Sequence, residues 1–380
     1  MEKIKYKKII QIIAIVLCMV FLINNARGVL AEESKEAELN IAVFSTYSGF
    51  ETIADMFMDT HPGVKVSIKN YAEMYFEDDE YEDLAELYEK FSEDIGDGCD
   101  VINLAGSDYV TAIDDGLLED LNAFMEKDKD FKKDDYFDST FKIYERNGGV
   151  YALPKAAEPV YLKINRNLLK ANNLIVDGNE VTFSDLEDLY KEVINNNSEN
   201  IDYHPGGALE LRMLDETYYR INGLDYDSDY SDFVSFMESI DGFSAGGVSD
   251  MTFNYMDSNL FSRRLEIDLT KDLDELMNES ESTTAACSYV GTHGERYAEC
   301  YAALGISSGS NNKELAWEFI KFAMGETDFI IGDEYMISMN KNKAERQYAN
   351  LKDETKNRLF EDLNSADTTW VLNKEYLLSE

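Results

Sequence analysis

Between Leu39 and Ile68 the spacing of apolar positions changes twice. Leu39-Asn40-Ile41-Ala42-Val43-Phe44 is a mostly apolar run, as in a strand buried on both faces. Phe50, Ile53, Ala54, Phe57 and Met58 then recur at helical spacing, which predicts a helix from Phe50 to His61 stopped by Pro62-Gly63. Val64, Val66 and Ile68 alternate with polar residues and predict a second strand. Strand, helix and strand in this order make a βαβ unit, whose right-handed crossover implies a parallel sheet.

The pattern continues along the chain. Tyr75 to Ile95 reads as a long acidic helix with Leu84, Leu87, Tyr88 and Phe91 in one stripe, followed by a third strand at Cys99–Leu104. Tyr109 to Asp115 is a short helix that Gly116 terminates. Gly148 to Pro154 is a turn into a strand, Val160–Asn165 another strand, and Arg166–Ala171 a short helix. Thr182 to Asn195 opens with Ser184-Asp185-Leu186-Glu187, a capping box in which Ser184 accepts from free helix N–H groups and Glu187 reaches back. Residues 201–280 carry no clear period. Asn311 to Met324 is an amphipathic helix with Trp317 on its core side, and residues 343–365 read as helical and solvated.

The N-terminus has a different pattern. Lys3, Lys5, Lys7 and Lys8 precede an apolar run from Ile9 to Ile23, and Val29-Leu30-Ala31 places small residues where a signal peptidase cuts. That run is about 15 residues, short of the roughly 20 of a membrane span, so residues 1–31 are expected to be a cleaved signal; the alternative is a retained anchor. Leu17 before Cys18 disfavours lipid attachment there, because the lipoprotein pattern places a small residue at that point. The chain is therefore expected outside the cytoplasm.

Charge narrows the partners. Lys and Arg number 35 against 76 Asp and Glu, a net charge of −41. Nucleic-acid affinity rests on cations neutralising phosphates, so no nucleic-acid partner is expected. An anionic membrane surface is disfavoured for the same reason. Aromatic and apolar content is too high for disorder, and the length suits two domains. Cys99, Cys287 and Cys300 follow the signal; Cys287 and Cys300 could pair in an oxidising compartment, or all three could be independent buried thiols.

Catalytic and cofactor motifs do not emerge. The three histidines, His61, His204 and His293, form no zinc-ligand spacing, and no GxSxG elbow, phosphate loop or strand-linked GxGxxG occurs. Carboxylates are so abundant that no pair of them singles out an acid and base. Asp225 to Asp232 resembles a calcium loop but lacks its glycine and closing glutamate. The chain is expected to be no enzyme and to need no cofactor or metal.

Several segments resemble a known family: Leu39–Val66, ending in HPGVKV; Asp97–Leu121, DGCDVINLAGSDYVTAIDDGLLEDL; Asn147–Leu169, NGGVYALPKAAEPVYLKINRNLL; and Gly305–Met324, GISSGSNNKELAWEFIKFAM, with Met339-Asn340-Lys341 after them. In this order they are similar to the extracellular solute-binding proteins of bacterial ABC importers, family 1, which includes the maltose- and multiple-sugar-binding proteins. The resemblance implies an α/β, two-lobed periplasmic-binding-protein-like fold of type II, each lobe a mainly parallel sheet flanked by helices, with the ligand cleft between lobes. It implies an N-terminal lobe mostly within 39–153, a C-terminal lobe mostly within 154–305, and final helices over 306–380 returning across both. It also implies a monomer that captures a small ligand, most simply a sugar, by hinge closure and delivers it to permease subunits. Strand ends then nominate ligand contacts: Ser45, Thr46 and Tyr47; Ser107, Asp108 and Tyr109; Glu158 and Tyr161; Tyr289 and His293. Tyrosines and carboxylates suit a sugar, which stacks its apolar face and donates its hydroxyls. The chain departs from the family in having no glycine-and-tryptophan segment between Gly242 and Tyr289 and Ser338 where a proline is usual. The alternative is a partner-binding protein that kept the fold, or a ligand that is a peptide, polyamine or cation.

Overall fold

The computed structural model describes residues 37–44, 49–77, 84–96, 98–171, 173, 180–182, 185, 188, 189, 192, 261–263, 274, 284–291, 294–325 and 336–369. Residues 1–31, expected as a signal, Trp370 and Asp225–Asp232 lie outside them.

The expected opening unit forms: β1 (Ala37–Val43), α1 (Gly49–Thr60) and β2 (Val64–Asn70). β1 pairs in parallel with β2 from Ala37↔Val64 to Val43↔Asn70. Ile41 and Ala42, neighbours that point to opposite faces, are both buried, so β1 is covered on both sides as its apolar run predicts. Two helices, α2 (Tyr71–Glu77) and α3 (Leu84–Asp94), occupy the stretch expected as one helix; residues 78–83 lie outside the described set. β3 (Val101–Asn103) and α4 (Tyr109–Asp114) follow, with Gly116 at φ 71 where the helix stops. After α5 (Asn122–Lys127) and α6 (Ser139–Lys142), β4 (Glu145–Arg146) and β5 (Gly149–Val150) make a hairpin. Its two turn residues, Asn147 and Gly148, have φ of 53 and 85, the pair of positive values that favours Asn-Gly in a tight hairpin.

β6 (Leu153–Pro159) and β7 (Tyr161–Asn165) are separated by Val160 alone. α7 (Arg166–Ala171), β8 (Glu180–Thr182), β9 (Phe261–Arg263), β10 (Thr284–Val290) and β11 (Ala298–Ile306) come next. After β8, Thr182 and Asp185 bond to each other; the predicted capping residues Ser184 and Glu187 lie outside the described residues. Asp185 N donates to Thr182 Oγ1 (3.3 Å) and Thr182 N donates to Asp185 Oδ2 (2.8 Å). α8 (Lys313–Gly325), β12 (Ile337–Ser338), α9 (Lys341–Gln347) and α10 (Asp353–Ser365) complete the chain.

The first sheet has the order β12-β6-β11-β3-β1-β2 and the second β8-β10-β7-β9. In the first, β1, β2 and β3 are parallel, while β11 runs antiparallel to both β3 and β6. α1 and α8 meet over it through Phe57, whose ring lies 5.2 Å from Phe319 and 5.4 Å from Phe322. Trp317, Phe319 and Ile320 bury the predicted apolar face of α8. The 343–365 region is less solvated than its charge suggests, because Leu359 and Leu363 are fully buried on α10. Cys99, Cys287 and Cys300 are buried thiols, and none is in a disulfide.

Candidate functional site

Register locates the link between the sheets. Leu304 of β11 stands opposite both Asn103 of β3 and Leu153 of β6, and Ala298 opposite Pro159. β6 and β11 therefore run on as an antiparallel ribbon beyond the carboxyl end of β3, for about 20 Å at strand rise, with β12 paired to β6 at Ala156 and Ala157. At the tip of this ribbon the chain crosses to the second sheet through Val160 and returns between β10 and β11. The crossings are bonded to each other: Val160 N donates to Tyr297 O (3.1 Å), and Tyr289 N donates to Val160 O (3.1 Å).

The carboxyl ends of β1 and β3 lie side by side at the base of the ribbon, where open α/β sheets bind ligands. Ser45, Thr46 and Tyr47 follow β1 and lie outside the described residues, as does His293. Ser107, Asp108 and Tyr109 follow β3 and are held in place. Ser107 is buried and its Oγ donates to Leu104 O (2.9 Å). Asp108 caps α4 by accepting from Thr111 N (3.2 Å), and its own backbone N–H donates to Tyr88 Oη (2.7 Å). Tyr109 is buried, with its ring 4.7 Å from that of Tyr144. Burial, with Cys300 and Tyr109 beside it, holds the Tyr144 phenol well above its usual range. Burial also pushes the Cys300 thiol up to about 12.

Glu158, Tyr161 and Tyr289 gather at the crossings. Glu158 is buried in β6 opposite Glu299. Tyr289 is buried with its ring stacked 5.9 Å from Tyr297. Tyr161 is buried and donates to Asp362 Oδ2 (2.7 Å), the same oxygen that accepts from Ser288 Oγ (2.7 Å). Burial first, then the Asp362 charge, raises the Tyr161 phenol well above the ordinary value. The described candidates thus fall into two groups, one following β3 and one at the crossings between the sheets. Sequence reading missed Asp362, Ser288 and Arg358, the last of which donates from Nη2 to Ala286 O (3.0 Å). Their only sequence signal is that Asp362 shares the helix face of Leu359 and Leu363.

Among the described residues no three His, Cys, Asp or Glu side chains cluster as metal ligands, and no helix is long and apolar enough to cross a membrane.

Two sheets joined by paired crossings define the class. The chain belongs to the bacterial extracellular solute-binding protein family, whose model matches residues 42–286. Its fold is similar to that of the sugar-binding protein MalE from Xanthomonas citri (13% identity, 90% of each chain covered, TM-score 0.56). It is also similar to an ABC substrate-binding protein from Listeria monocytogenes in complex with cycloalternan (15% identity, 90% of each chain, TM-score 0.55). A third is a family 1 extracellular solute-binding protein from Bifidobacterium longum subsp. infantis (14% identity, 90% of this chain and 91% of that one, TM-score 0.53). No curated protein sequence matches the chain. The fold is the two-lobed α/β fold of periplasmic binding proteins.

Proposed function

We propose that this protein is the exported binding subunit of an ABC importer, a monomer that captures a small carbohydrate between two lobes and hands it to a permease without altering it. The observation that carries this reading is the family match over residues 42–286, together with the doubled crossing at Val160 that a closing hinge needs. Residues 39–153 and 154–305 would supply most of the two lobes, with 306–380 returning across them. Ser45, Thr46, Tyr47, Asp108 and His293 would meet the ligand directly. Ser107, Tyr109, Glu158, Tyr161 and Tyr289, all buried, would shape the walls behind them. Closure around the ligand follows from its tighter binding to the closed form, and the closed form is what a permease can recognise.

A ligand that binds only the folded chain raises its thermal midpoint, by the equivalent of about 2.7 kcal/mol at a hundredfold excess over Kd. A panel of malto-, manno- and xylo-oligosaccharides at millimolar concentration should contain a sugar that does this. No shift with any of them would remove the carbohydrate reading. One observation favours a second reading, a partner-binding protein that kept the fold: the hydroxyls of Ser107 and Tyr161 are engaged by the chain itself. A polyamine and peptide panel in calorimetry separates an altered ligand from a lost one.

A further inference from the structure

α10 belongs by packing to the first lobe. Leu359 and Leu363 are fully buried, Phe360 lies 5.3 Å from Phe137 and 6.2 Å from Tyr348, and Asn364 Oδ1 accepts from Asp138 N (2.9 Å). Yet one turn of the same helix reaches the second sheet. Asp362 Oδ2 accepts both Tyr161 Oη of β7 and Ser288 Oγ of β10, each at 2.7 Å. Tyr161 and Ser288 are register partners, so their hydroxyls leave one face of the sheet side by side. Arg358, four residues before Asp362, places Nε 3.8 Å from the same oxygen, lies 5.7 Å over the Tyr161 ring, and donates to Ala286 O of β10. The Asp362 and Arg358 side chains are 15% and 14% exposed, so water competes little for these bonds.

The position matters as much as the contacts. Tyr161 is one residue past the crossing at Val160, and Ser288 is one residue before Tyr289, whose N–H donates to Val160 O. Lobes that rotate about the crossings move least at this point, so bonds made here can persist while the lobes open and close.

We propose that Asp362 is the pin of the hinge: a carboxylate on a first-lobe helix that holds Tyr161 and Ser288 of the second sheet together and so confines the lobes to one axis of rotation. Losing one hydroxyl bond to a charged acceptor changes the ratio of pinned to unpinned arrangements by about tenfold or more. The inference rests on the fold and not on the identity of the ligand.

The test measures the distance between lobes in the full chain without ligand. Spin labels on D59C, exposed on α1, and K170C, exposed on α7, report one distance from each lobe by pulsed electron resonance. The parent chain without these cysteines serves as the labelling control, since Cys99, Cys287 and Cys300 are buried. S288A and Y161F, each of which leaves the Asp362–Arg358 pair in place, should broaden the distance distribution, and D362A should broaden it most. Distributions that superimpose on the parent's in S288A and Y161F would overturn the proposal, whatever happens to the thermal midpoint. Should D362A fail to fold, those two variants decide the matter.

Discussion

Asp128, at the end of α5, ties that helix to α8 and offers a quantitative test of the charge network. Its Oδ2 accepts from Lys321 Nζ (2.6 Å) and Trp317 Nε1 (3.0 Å), and its Oδ1 accepts from Asp130 N (2.9 Å). The Lys321 bond is the largest cause holding the Asp128 carboxyl down at about 2, from an ordinary 3.8. Linkage on that shift sets an upper bound of about 2.5 kcal/mol of stability at pH 7. The Lys321 side chain is 33% exposed, and solvent screening reduces the contribution to about 1 kcal/mol. A lowered carboxyl stabilises the fold above its unfolded-state value and loses that contribution as pH falls through its folded value. The contribution is therefore whole above about pH 5, about half gone at pH 3 and nearly absent at pH 2. D128N removes the charge and keeps an oxygen for Trp317. Urea unfolding of parent and variant at pH 7, 5 and 3 should show a cost of about 1 kcal/mol at pH 7 that halves by pH 3. Trp317 is one of only two tryptophans, so emission reports the site directly. A D128N cost that is the same at all three pH values would refute the reasoning.

Other expectations follow from single positions. F319A empties a fully buried site against Phe57 and should cost about 3–5 kcal/mol in urea unfolding; a cost under about 1 would contradict the packing of α8 on α1. G116A meets no atom within 4 Å, so it tests backbone strain alone: at φ 71 it should lower stability by about 1 kcal/mol, read from the thermal midpoint. Burial drives the Cys99 and Cys300 thiols up to about 12. Together with buried Cys287 they should react slowly with Ellman's reagent at pH 8 in the native chain and rapidly in urea. Fast labelling of the native chain would rule out this burial.

Much of the first lobe is legible in the sequence because its signals are local. β1, α1 and β2 appear where period and stop residues put them, and the turn read at Gly148 is present as the Asn147-Gly148 turn between β4 and β5. The antiparallel half of the first sheet is not legible, since β11 reaches β3 and β6 from about 150 to 200 residues away in the chain. After β8 both Thr182–Asp185 and Ser184–Glu187 satisfy the capping pattern; the first makes the bonds described, and the second lies outside the described residues. Of the ligand candidates, strand ends gave the place, but not what each side chain would do there.

That last gap has a physical reason, and the chain's acidity sharpens it. With 76 carboxylates, an acidic residue by itself says nothing. The informative ones interrupt an apolar pattern. Asp362 falls at the i+3 position of the stripe formed by Leu359 and Leu363, a place that must face inward. Asp100 lies between Cys99 and Val101 at the start of a buried strand, is 5% exposed, and accepts from Asn40 N (2.9 Å) and Ser310 Oγ (2.5 Å). A carboxylate at such a position is costly unless donors reach it, so the fold must supply them from elsewhere. For Asp362 they come from Tyr161 and Ser288, 201 and 74 residues away in the chain. A tyrosine read as a ligand contact from its strand end is thus engaged by a carboxylate on a helix read from the sequence as solvated. Scanning an acidic sequence for charges inside apolar stripes would find that demand first and the donors second.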